Sequence, residues 1–317
     1  MVIWHNYTII IFLKKSAVIP IIEATLAVIA WGGSFVATKV ALRYASPVTV
    51  VWLRFAIGTV ILGSAVLIRK QFSIPSRKDM AYFALLGFIG ITFHQWLQST
   101  GLQTAQATTA AWIVATSPIF MALLGWLVLK EKLTAIQAVG ILVATAGVLV
   151  VVSKGDFQSL FAGHFGTLGD LLILISAPNW AIFSTLSRRS LKQHPATRMM
   201  FYVMGFGWLF TTIQLLLGPG VNEVPQIPLE GWLGIGFLGI VCSGLAYIFW
   251  YDALKAMPVA QTGVFLYMEP FITVVVAALV LNEPFLLSSL LGGAAILGGV
   301  WLVNGPAVSK NPTHNRV

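Results

Sequence analysis

Residues 117–131, SPIFMALLGWLVLKE, are repeated near the far end of the chain by residues 269–283, EPFITVVVAALVLNE. Both stretches hold a Pro, an apolar run and then a Glu, and they are separated by 152 residues. Two later pairs of glycines keep the same separation: Gly140 with Gly292 and Gly147 with Gly299. Leu and Val recur by chance in an apolar chain, but a Pro, a Glu and two Gly at one spacing indicate an internal repeat.

The repeat continues upstream with a slightly different spacing. At a separation of 149 residues, the matching pairs are Trp31 with Trp180, Lys39 with Arg188, Gly87 with Gly236 and Gly90 with Gly239. A three-residue insertion near the eighth apolar segment would account for the change in spacing.

The composition of the chain excludes an ordinary soluble domain. Of the 317 residues, 58% are hydrophobic and 9% are charged, and the mean hydropathy is +0.88. Soluble folds carry about 25% charged residues, so this chain must lie in a lipid bilayer. The single Cys242 excludes a disulfide framework and a cysteine-based metal site, and we expect neither a metal nor a cofactor.

Apolar segments of about 20 residues, the length of a membrane-spanning helix, make up most of the chain. They run unbroken rather than alternating in short segments, so we expect an all-α membrane protein rather than a β-barrel. Pro, Gly and charged residues divide these segments into ten predicted spans: Pro20–Val40, Val48–Ile68, Met80–Leu102, Ala107–Leu129, Ala135–Val152, Thr167–Leu186, Arg198–Leu217, Gly231–Tyr251, Val259–Leu281 and Leu286–Val303. Residues 1–19 are expected to form a cytoplasmic or interfacial lead, and residues 305–317 a cytoplasmic tail.

The distribution of basic residues predicts the orientation. With the N-terminus in the cytoplasm, Lys39, Arg43 and Lys154 lie outside, and all other Lys and Arg residues except Arg54 lie inside. Arg54 falls within a span near its outer end, from which its side chain is expected to extend to the interface, with contact to the substrate as the alternative. Because basic residues concentrate on the cytoplasmic side, both termini are expected there, in the cytoplasmic membrane. The bias accounts for most of the net charge of +9 without a nucleic-acid partner.

Each repeat, residues 20–153 and residues 154–304, holds five predicted spans. Because five is odd, two copies in tandem cross the membrane in opposite senses, and we expect an inverted-topology repeat. In that architecture a site near the middle of the membrane lies between two halves that open alternately to each side. The repeated acidic residues Glu131 and Glu283 would then lie at the inner and outer faces, respectively.

These paired motifs resemble the EamA family of the drug/metabolite transporter superfamily. Each repeat has an early Trp followed by a basic residue, and later a Pro followed by an apolar run and a Glu. The resemblance covers nearly all of residues 20–304. It implies a ten-helix secondary transporter, commonly an exporter of amino acids or other small metabolites, with a central cavity lined by helices of both repeats.

Glu269 is the strongest candidate for a functional side chain. It lies about ten residues into the ninth span, at a depth where a charge is costly and usually faces a cavity or a partner. Pro270 cannot donate to the Leu266 carbonyl, so a kink is expected that leaves a polar backbone group facing the bundle. Pro118 repeats this kink and frees the carbonyl of Val114. Glu269 is expected to bind substrate or exchange a proton, and the alternative is that it only holds helices together.

Other candidates for the cavity wall are polar or aromatic residues near the middle of spans. His94 and Gln98 follow Gly87 and Gly90 on one face of the third span, which is expected to turn inward, either for close packing or to border the cavity. A tryptophan deep in a span needs a partner for its N–H. The remaining candidates are Trp31, Ser34, Phe35, Trp180, Ser184 and Tyr247. An aromatic wall favours an apolar or aromatic amphiphile as substrate.

The main alternative to a transporter is a passive facilitator or channel, because an inverted repeat is compatible with a pore as well as with alternating access. The sequence shows neither the rings of charge nor the carbonyl filters that are typical of channels. An enzyme is disfavoured, because Asp170 and Asp252 lie near opposite faces and no nucleophile motif is present. The absence of a P-loop excludes ATP-driven transport by this chain. The bundle is expected to be a monomer, with a dimer as the alternative.

Overall fold

The computed structural model describes residues 3–129, 134–156, 158, 166–218, 220–257, 262–263 and 265–308. Within these residues the chain is helical and contains no strand. The helices are α1 (Ile3–Ala41), α2 (Pro47–Ile68), α3 (Arg77–Gly101), α4 (Ala107–Val114), α5 (Ser117–Leu129), α6 (Ala135–Val152), α7 (Leu168–Leu191), α8 (Ala196–Leu217), α9 (Gly220–Glu223), α10 (Leu229–Ala256), α11 (Glu269–Leu281) and α12 (Leu287–Val308).

Eight helical segments are long and apolar enough to cross a membrane, and two shorter apolar helices, Leu266–Leu281 and Leu287–Val303, follow them. The eight segments agree with the first eight predicted spans to within five residues at each end. The chain is therefore a multi-pass membrane protein. α1 begins at Ile3 and passes through the segment expected to be a separate lead, although its apolar span begins only at Val18. No proline lies before Pro20, so the segment before it contains no proline that would interrupt the helix.

α6 and α12 pack with their backbones in direct contact. A Cβ atom at Gly140 would lie 2.7 Å from the carbonyl oxygen of Gly299, and the reverse contact is even closer. Gly147 and Gly292 approach in the same way, at 2.6 and 2.7 Å. Each glycine of one repeated pair therefore faces a member of the other pair, a reciprocal contact of the kind that a two-fold axis generates.

Charged side chains hold the loops together at one end of the bundle, which we call the Lys39 face. The Lys39 ammonium of α1 donates to the carbonyls of Leu102 and Ala105, at 3.3 and 2.5 Å. Glu283 accepts a 2.8 Å hydrogen bond from the backbone N–H of Ala107, at the start of α4. The cation thus binds carbonyls that follow the C-terminus of α3, and the carboxylate binds an N-terminus, as the helix dipoles favour.

α2 begins at Pro47, six residues after α1 ends at the Lys39 face. Its C-terminal end is held by Arg69, and we call this end of the bundle the Arg69 face. The guanidinium donates two hydrogen bonds to the carboxylate of Asp252, at 2.8 and 2.6 Å. A third bond, of 3.2 Å, reaches the hydroxyl of Thr197 at the start of α8. The 22 residues of α2 rise about 33 Å at about 1.5 Å per residue. The two faces therefore lie at opposite ends of the bundle.

α3 and α10 each contain a π-helical segment, Phe88–Phe93 in α3 and Phe237–Leu245 in α10. Their first residues are 149 positions apart, which is the upstream spacing of the repeat. The second segment has nine residues and the first has six. The three additional residues fall where the sequence predicts an insertion. π-helical turns occur frequently at functional sites.

The two repeated prolines lie at helix starts. α4 ends at Val114 and α5 begins at Ser117, so Pro118 occupies the first turn of α5. A 3₁₀ segment, Leu266–Met268, precedes α11, and Pro270 occupies the first turn of that helix. The first turn of a helix tolerates proline because the backbone N–H groups of that turn have no intrahelical acceptor. The missing N–H of proline therefore costs no hydrogen bond there. Both spans are therefore interrupted at the depth where the sequence predicts kinks.

Candidate functional site

A cavity of about 120 Å³ lies inside the bundle, and its wall is formed by α1 to α5, α7, α10 and α11 together with the 3₁₀ segment before α11. A single water needs about 10–15 Å³, so the cavity holds several waters or part of a small solute. Most of its wall is apolar, and two charged side chains, Arg54 and Glu269, contribute to it.

Eight of the nine residues predicted for the substrate cavity lie in this wall: Trp31, Ser34, Phe35, His94, Gln98, Trp180, Tyr247 and Glu269. Ser184 does not. It lies one helical turn beyond Trp180 toward the Arg69 face, where its carbonyl accepts a 3.1 Å hydrogen bond from the hydroxyl of Ser187. The cavity therefore ends short of Ser184. Both repeated prolines, Pro118 and Pro270, also line the cavity.

The acidic residues predicted to mark the repeat ends have different outcomes. Glu131 lies outside the described residues. Glu283 lies at the Lys39 face and accepts hydrogen bonds from the backbone N–H groups of Ala107 and Thr108, at 2.8 and 3.1 Å. Its carboxylate therefore caps α4, whose later residues form part of the cavity wall.

Glu269 opens α11 and faces the cavity from the interrupted span. Its carboxylate makes no hydrogen bond to any group in the described part of the chain, while its backbone carbonyl accepts one of 3.0 Å from the Thr273 hydroxyl. The position at a helix N-terminus favours a negative charge. α1 packs directly against this point, because a Cβ atom at Gly32 would lie 2.9 Å from the Glu269 carbonyl oxygen. Among the described residues, no side chain therefore pairs with the carboxylate.

Arg54 points into the bundle, so the prediction that it extends to the interface is wrong. Its relative exposure is 6%. The Nε–H donates to the Ser243 hydroxyl of α10 at 3.1 Å, and Nη1 donates to the Gln95 side-chain oxygen of α3 at 3.2 Å. These two polar partners draw the side chain inward, although a charge at the bilayer centre costs at least about 2.5 kcal/mol. The guanidinium also lies 5.0 Å from the ring centre of Phe55.

His94 directly follows the π-helical segment of α3 and is 4% exposed. Its ring lies 5.1 Å from the Trp180 ring of α7. Nδ1 is enclosed and has no hydrogen-bond partner among the described residues, which is unusual for a buried polar atom. The glycines of the same predicted stripe contact other helices: a Cβ atom at Gly87 would meet the α8 backbone, and one at Gly90 would meet the Phe183 ring. The glycines of the stripe thus lie against neighbouring helices, while His94 and Gln98 lie in the cavity wall.

Trp31 satisfies its indole N–H as predicted for a deep tryptophan. The N–H donates a 3.1 Å hydrogen bond to the carbonyl of Cys242, in the π-helical segment of α10. The ring packs against the rings of Tyr247 and Trp250, with centres 5.6 and 5.2 Å away. In α3, the carbonyl of Ile89 similarly accepts a 2.9 Å bond from an α7 side chain, that of Asn179. Side chains from α1 and α7 therefore fix both π-helical segments.

Ser117 occupies the position that corresponds to Glu269 in the repeat. Its hydroxyl donates a 2.6 Å hydrogen bond to the carbonyl of Val114, the group that Pro118 was predicted to leave free. The polar backbone at this interruption is thus satisfied locally. Of the two corresponding positions, Glu269 is therefore the one with a carboxyl group, whereas Ser117 is neutral.

Sequence reasoning did not select several residues of the wall. Arg54, Gln95, Ser117, Met121 and Tyr267 all line the cavity. The available signal was Arg54 itself, an arginine seven residues beyond Pro47, the first residue of a 22-residue helix. Its two partners are 41 and 189 residues away in sequence, so no local pattern links the three.

The model of the EamA-like transporter family matches residues 18–153 and again residues 167–305. An uncharacterised transporter of Archaeoglobus fulgidus is 27% identical over 277 residues, which cover 87% of this chain and 94% of that protein. A probable terminal-alkyne amino-acid exporter of Streptantibioticus cattleyicolor is 28% identical over 287 residues, covering 88% and 91%.

A solved crystal structure has a similar fold. It superposes with a TM-score of 0.63 at 20% sequence identity and covers 94% of this chain and 99% of its own. At this identity the likeness concerns the fold alone.

Proposed function

Because the chain belongs to the EamA-like transporter family, we propose that it is a secondary active transporter that exports a small organic metabolite across the cytoplasmic membrane by alternating access. The observation that carries this proposal is the cavity between α1 to α5, α7, α10 and α11, with Arg54 and Glu269 in its wall. A site between elements from both halves of the sequence is what alternating access requires.

The arrangement behind the proposal is two inverted repeats of five spanning helices, residues 20–153 and residues 154–304. Its support is the reciprocal contact of Gly140 and Gly147 with Gly299 and Gly292, together with the π-helical segments at corresponding positions of α3 and α10. The directions of the first helices agree with it. α1 ends at the Lys39 face, whereas α7 begins there, since the Gly169 N–H donates to the Thr104 hydroxyl at 3.0 Å.

The interrupted spans supply places at which the two halves can bend. The break between α4 and α5 and the 3₁₀ segment before α11 both lie in the cavity wall, at Pro118 and Pro270. At these breaks fewer backbone hydrogen bonds restrain the chain than inside a continuous helix. Bending there would open the cavity toward one face while the Lys39 or the Arg69 contacts hold the other.

Glu269 is the residue that we propose couples transport to a proton gradient. Its carboxylate faces the cavity and lacks a hydrogen-bond partner in the described residues, so it can bind either a proton or a cationic group of the solute. The proton and the solute cannot occupy the carboxylate together, so each binds only after the other has left. The two are therefore exchanged across the membrane. Ser117, at the corresponding position, has a hydroxyl that donates to the Val114 carbonyl and cannot take this role. The proposed coupling therefore uses a single carboxylate.

An amino acid or a similar amphiphile is the proposed substrate. The wall combines aromatic rings, Trp31, Phe35, Trp180 and Tyr247, with the polar groups of His94, Gln98 and Glu269. Such a surface fits a solute with one apolar and one polar end. The relative from Streptantibioticus, a probable amino-acid exporter, supports the same class.

Counterflow in proteoliposomes tests the mechanism. Vesicles preloaded with a panel of neutral, aromatic and cationic amino acids receive a trace of labelled compound outside, with and without a pH gradient. A transporter with alternating access accelerates uptake of the label transiently, when the unlabelled compound is inside. Uptake that is unsaturable and indifferent to the internal solute would identify a passive facilitator, the alternative function, and would overturn the proposal.

A further inference from the structure

Arg54 carries a charge that the described part of the protein does not neutralise. No carboxylate oxygen of the described residues lies within 4.0 Å of its guanidinium. The exposed Arg43 pairs with Glu230 at 3.4 Å, and Arg69 pairs with Asp252 at 2.6 Å. Two arginines at the ends of the bundle therefore have acidic partners, while the one buried beside the cavity has only neutral ones.

The guanidinium is nevertheless held in a fixed orientation. Of its five N–H donors, the Nε–H binds the Ser243 hydroxyl and one Nη1–H binds the Gln95 oxygen. Nη2 makes no hydrogen bond to the described residues, and Arg54 forms part of the cavity wall. Ser243 and Gln95 thus act as positioning residues that leave donors available on the side of the cavity.

We infer that Arg54 is the anion-binding group of the cavity and that the transported solute carries a carboxylate. The inference rests on the proposed function and names the substrate class of the same site. A planar guanidinium with free N–H groups matches a carboxylate in shape and charge. Binding would supply the counter-charge that the described protein lacks.

Glu269 in the same wall defines the rest of the solute. It forms no ion pair with Arg54 within 4.0 Å, so the cavity has a guanidinium and a carboxyl group that do not pair with each other. An α-amino acid complements both, with its carboxylate on Arg54 and its ammonium on Glu269. An amine without a carboxylate would leave Arg54 unpaired, and an unpaired buried charge opposes binding.

A different role for Arg54 is a purely structural link that joins α2 to α3 and α10 through Gln95 and Ser243. The two roles differ in what they predict for solutes. A structural link does not distinguish a carboxylate from its neutral amide, whereas an anion-binding group does. The distinction can be measured on the unmodified protein.

The experiment measures binding to the purified full-length protein in detergent, by tryptophan fluorescence and by thermal shift. The probes are L-leucine and L-phenylalanine, their amides, and the corresponding acids without an amino group. We expect both amino acids to bind at least about tenfold more tightly than their amides. Arg54→Gln should weaken amino-acid binding by about 10- to 100-fold and leave the amides unchanged. Arg43→Gln, which removes an exposed arginine, is the matched control and should bind like the wild type.

Several outcomes would overturn the inference. These are equal affinity of wild-type protein for acid and amide, no binding of any carboxylate in the panel, or an acid preference that survives in folded Arg54→Gln. If Arg54→Gln does not purify as a folded protein, the comparison of acid with amide on the wild type decides. The same comparison is then made on Arg54→Lys, which keeps the charge. Acid-selective binding without counterflow would support the anion-binding group and contradict the transport mechanism. Counterflow without acid preference would do the reverse.

Discussion

The indole N–H of Trp31 and the carbonyl oxygen of Cys242 lie 3.1 Å apart and form a hydrogen bond between α1 and the π-helical segment of α10. The two residues are 211 positions apart in sequence. A π-helical turn disturbs the regular pattern of backbone bonds, and the indole supplies a partner for one of its carbonyls inside the membrane. The Trp31 ring also lines the cavity, so one side chain joins the packing of α10 to the shape of the site.

Trp31→Phe tests this bond. Phenylalanine keeps an aromatic ring against Tyr247 and Trp250 but cannot donate, so the Cys242 carbonyl loses its partner. We expect a loss of about 1 kcal/mol in unfolding free energy, the usual size for one buried hydrogen bond, measured by denaturant unfolding in mixed micelles. Trp301→Phe is the matched control, because Trp301 is 65% exposed, and it should be neutral. Equal stability of the two variants would contradict the role of the bond.

The α6–α12 contact predicts opposite results for two glycines of the same helix. A Cβ atom at Gly292 would lie 2.7 Å from the Gly147 carbonyl oxygen, whereas nothing lies within 4 Å of one at Gly298. Gly292→Ala must push the helix backbones apart and should destabilise the protein by about 1–3 kcal/mol. Gly298→Ala should be neutral or slightly stabilising, because alanine restricts the unfolded chain.

Thermal melting of the two alanine variants in detergent checks this pair. A melting temperature of Gly292→Ala at or above that of the wild type would contradict the close approach of the α6 and α12 backbones. That result would also remove the main support for the proposed two-fold relation between the repeats.

Glu269→Gln tests coupling. The amide has nearly the same shape but can neither exchange a proton nor carry the charge that binds the cationic group of the solute. We therefore expect that a pH gradient no longer drives accumulation and that exchange down a solute gradient is slower. The measurement is accumulation of labelled solute in proteoliposomes with an imposed pH gradient, compared with vesicles without one. Glu230→Gln, at an exposed carboxylate of the Lys39 face, should accumulate solute like the wild type. Unchanged proton-driven accumulation in Glu269→Gln would exclude the proposed role.

Glu223 predicts a pH dependence of stability at the Lys39 face. Burial alone would raise the pKa of its carboxyl, but hydrogen bonds from the Ser46 backbone N–H, at 2.8 Å, and from the Thr49 hydroxyl, at 2.7 Å, outweigh it, so the net pKa lies below the ordinary value of 4.5. A carboxyl with a lowered folded-state pKa stabilises the fold above its unfolded-state pKa. This contribution is lost as the pH falls from about 4.5 through the folded-state pKa.

The difference in melting temperature between wild type and Glu223→Gln, followed from pH 7 down through the range below 4.5, isolates this contribution. We expect the wild type to be the more stable at pH 7 and the difference to shrink as the carboxyl takes up its proton. A difference that does not change with pH would show that the Glu223 charge contributes nothing.

Much of the fold was predictable because the relevant signals are local. Hydropathy places Pro47–Ile68 and Ala135–Val152 in the membrane, and the boundaries agree because Pro, Gly and charges end spans through the chemistry of the chain itself. Trp31, His94 and Glu269 could be selected one at a time, because a polar or ionisable group at mid-depth needs a partner wherever the helix lies.

The exact form of the helix interruptions could not be predicted from the sequence. Pro118 and Pro270 indicate breaks, but the π-helical segments of α3 and α10 have no comparable sequence marker, since they depend on which neighbours bind the freed carbonyls. Gly90 illustrates this. Its place in a stripe suggested a regular helix face, whereas its role is to admit the Phe183 ring of α7.

By itself, then, the sequence determined that the protein lies in the membrane, where its spans run and which segments repeat, because these follow from the polarity and order of neighbouring residues. Only the tertiary structure decided which polar groups meet. Arg54 was expected at the interface and instead lies beside the cavity, because Gln95 and Ser243 converge on it from positions 41 and 189 residues away. A buried charge is held by partners from other helices, and their convergence is a property of packing that no single span contains.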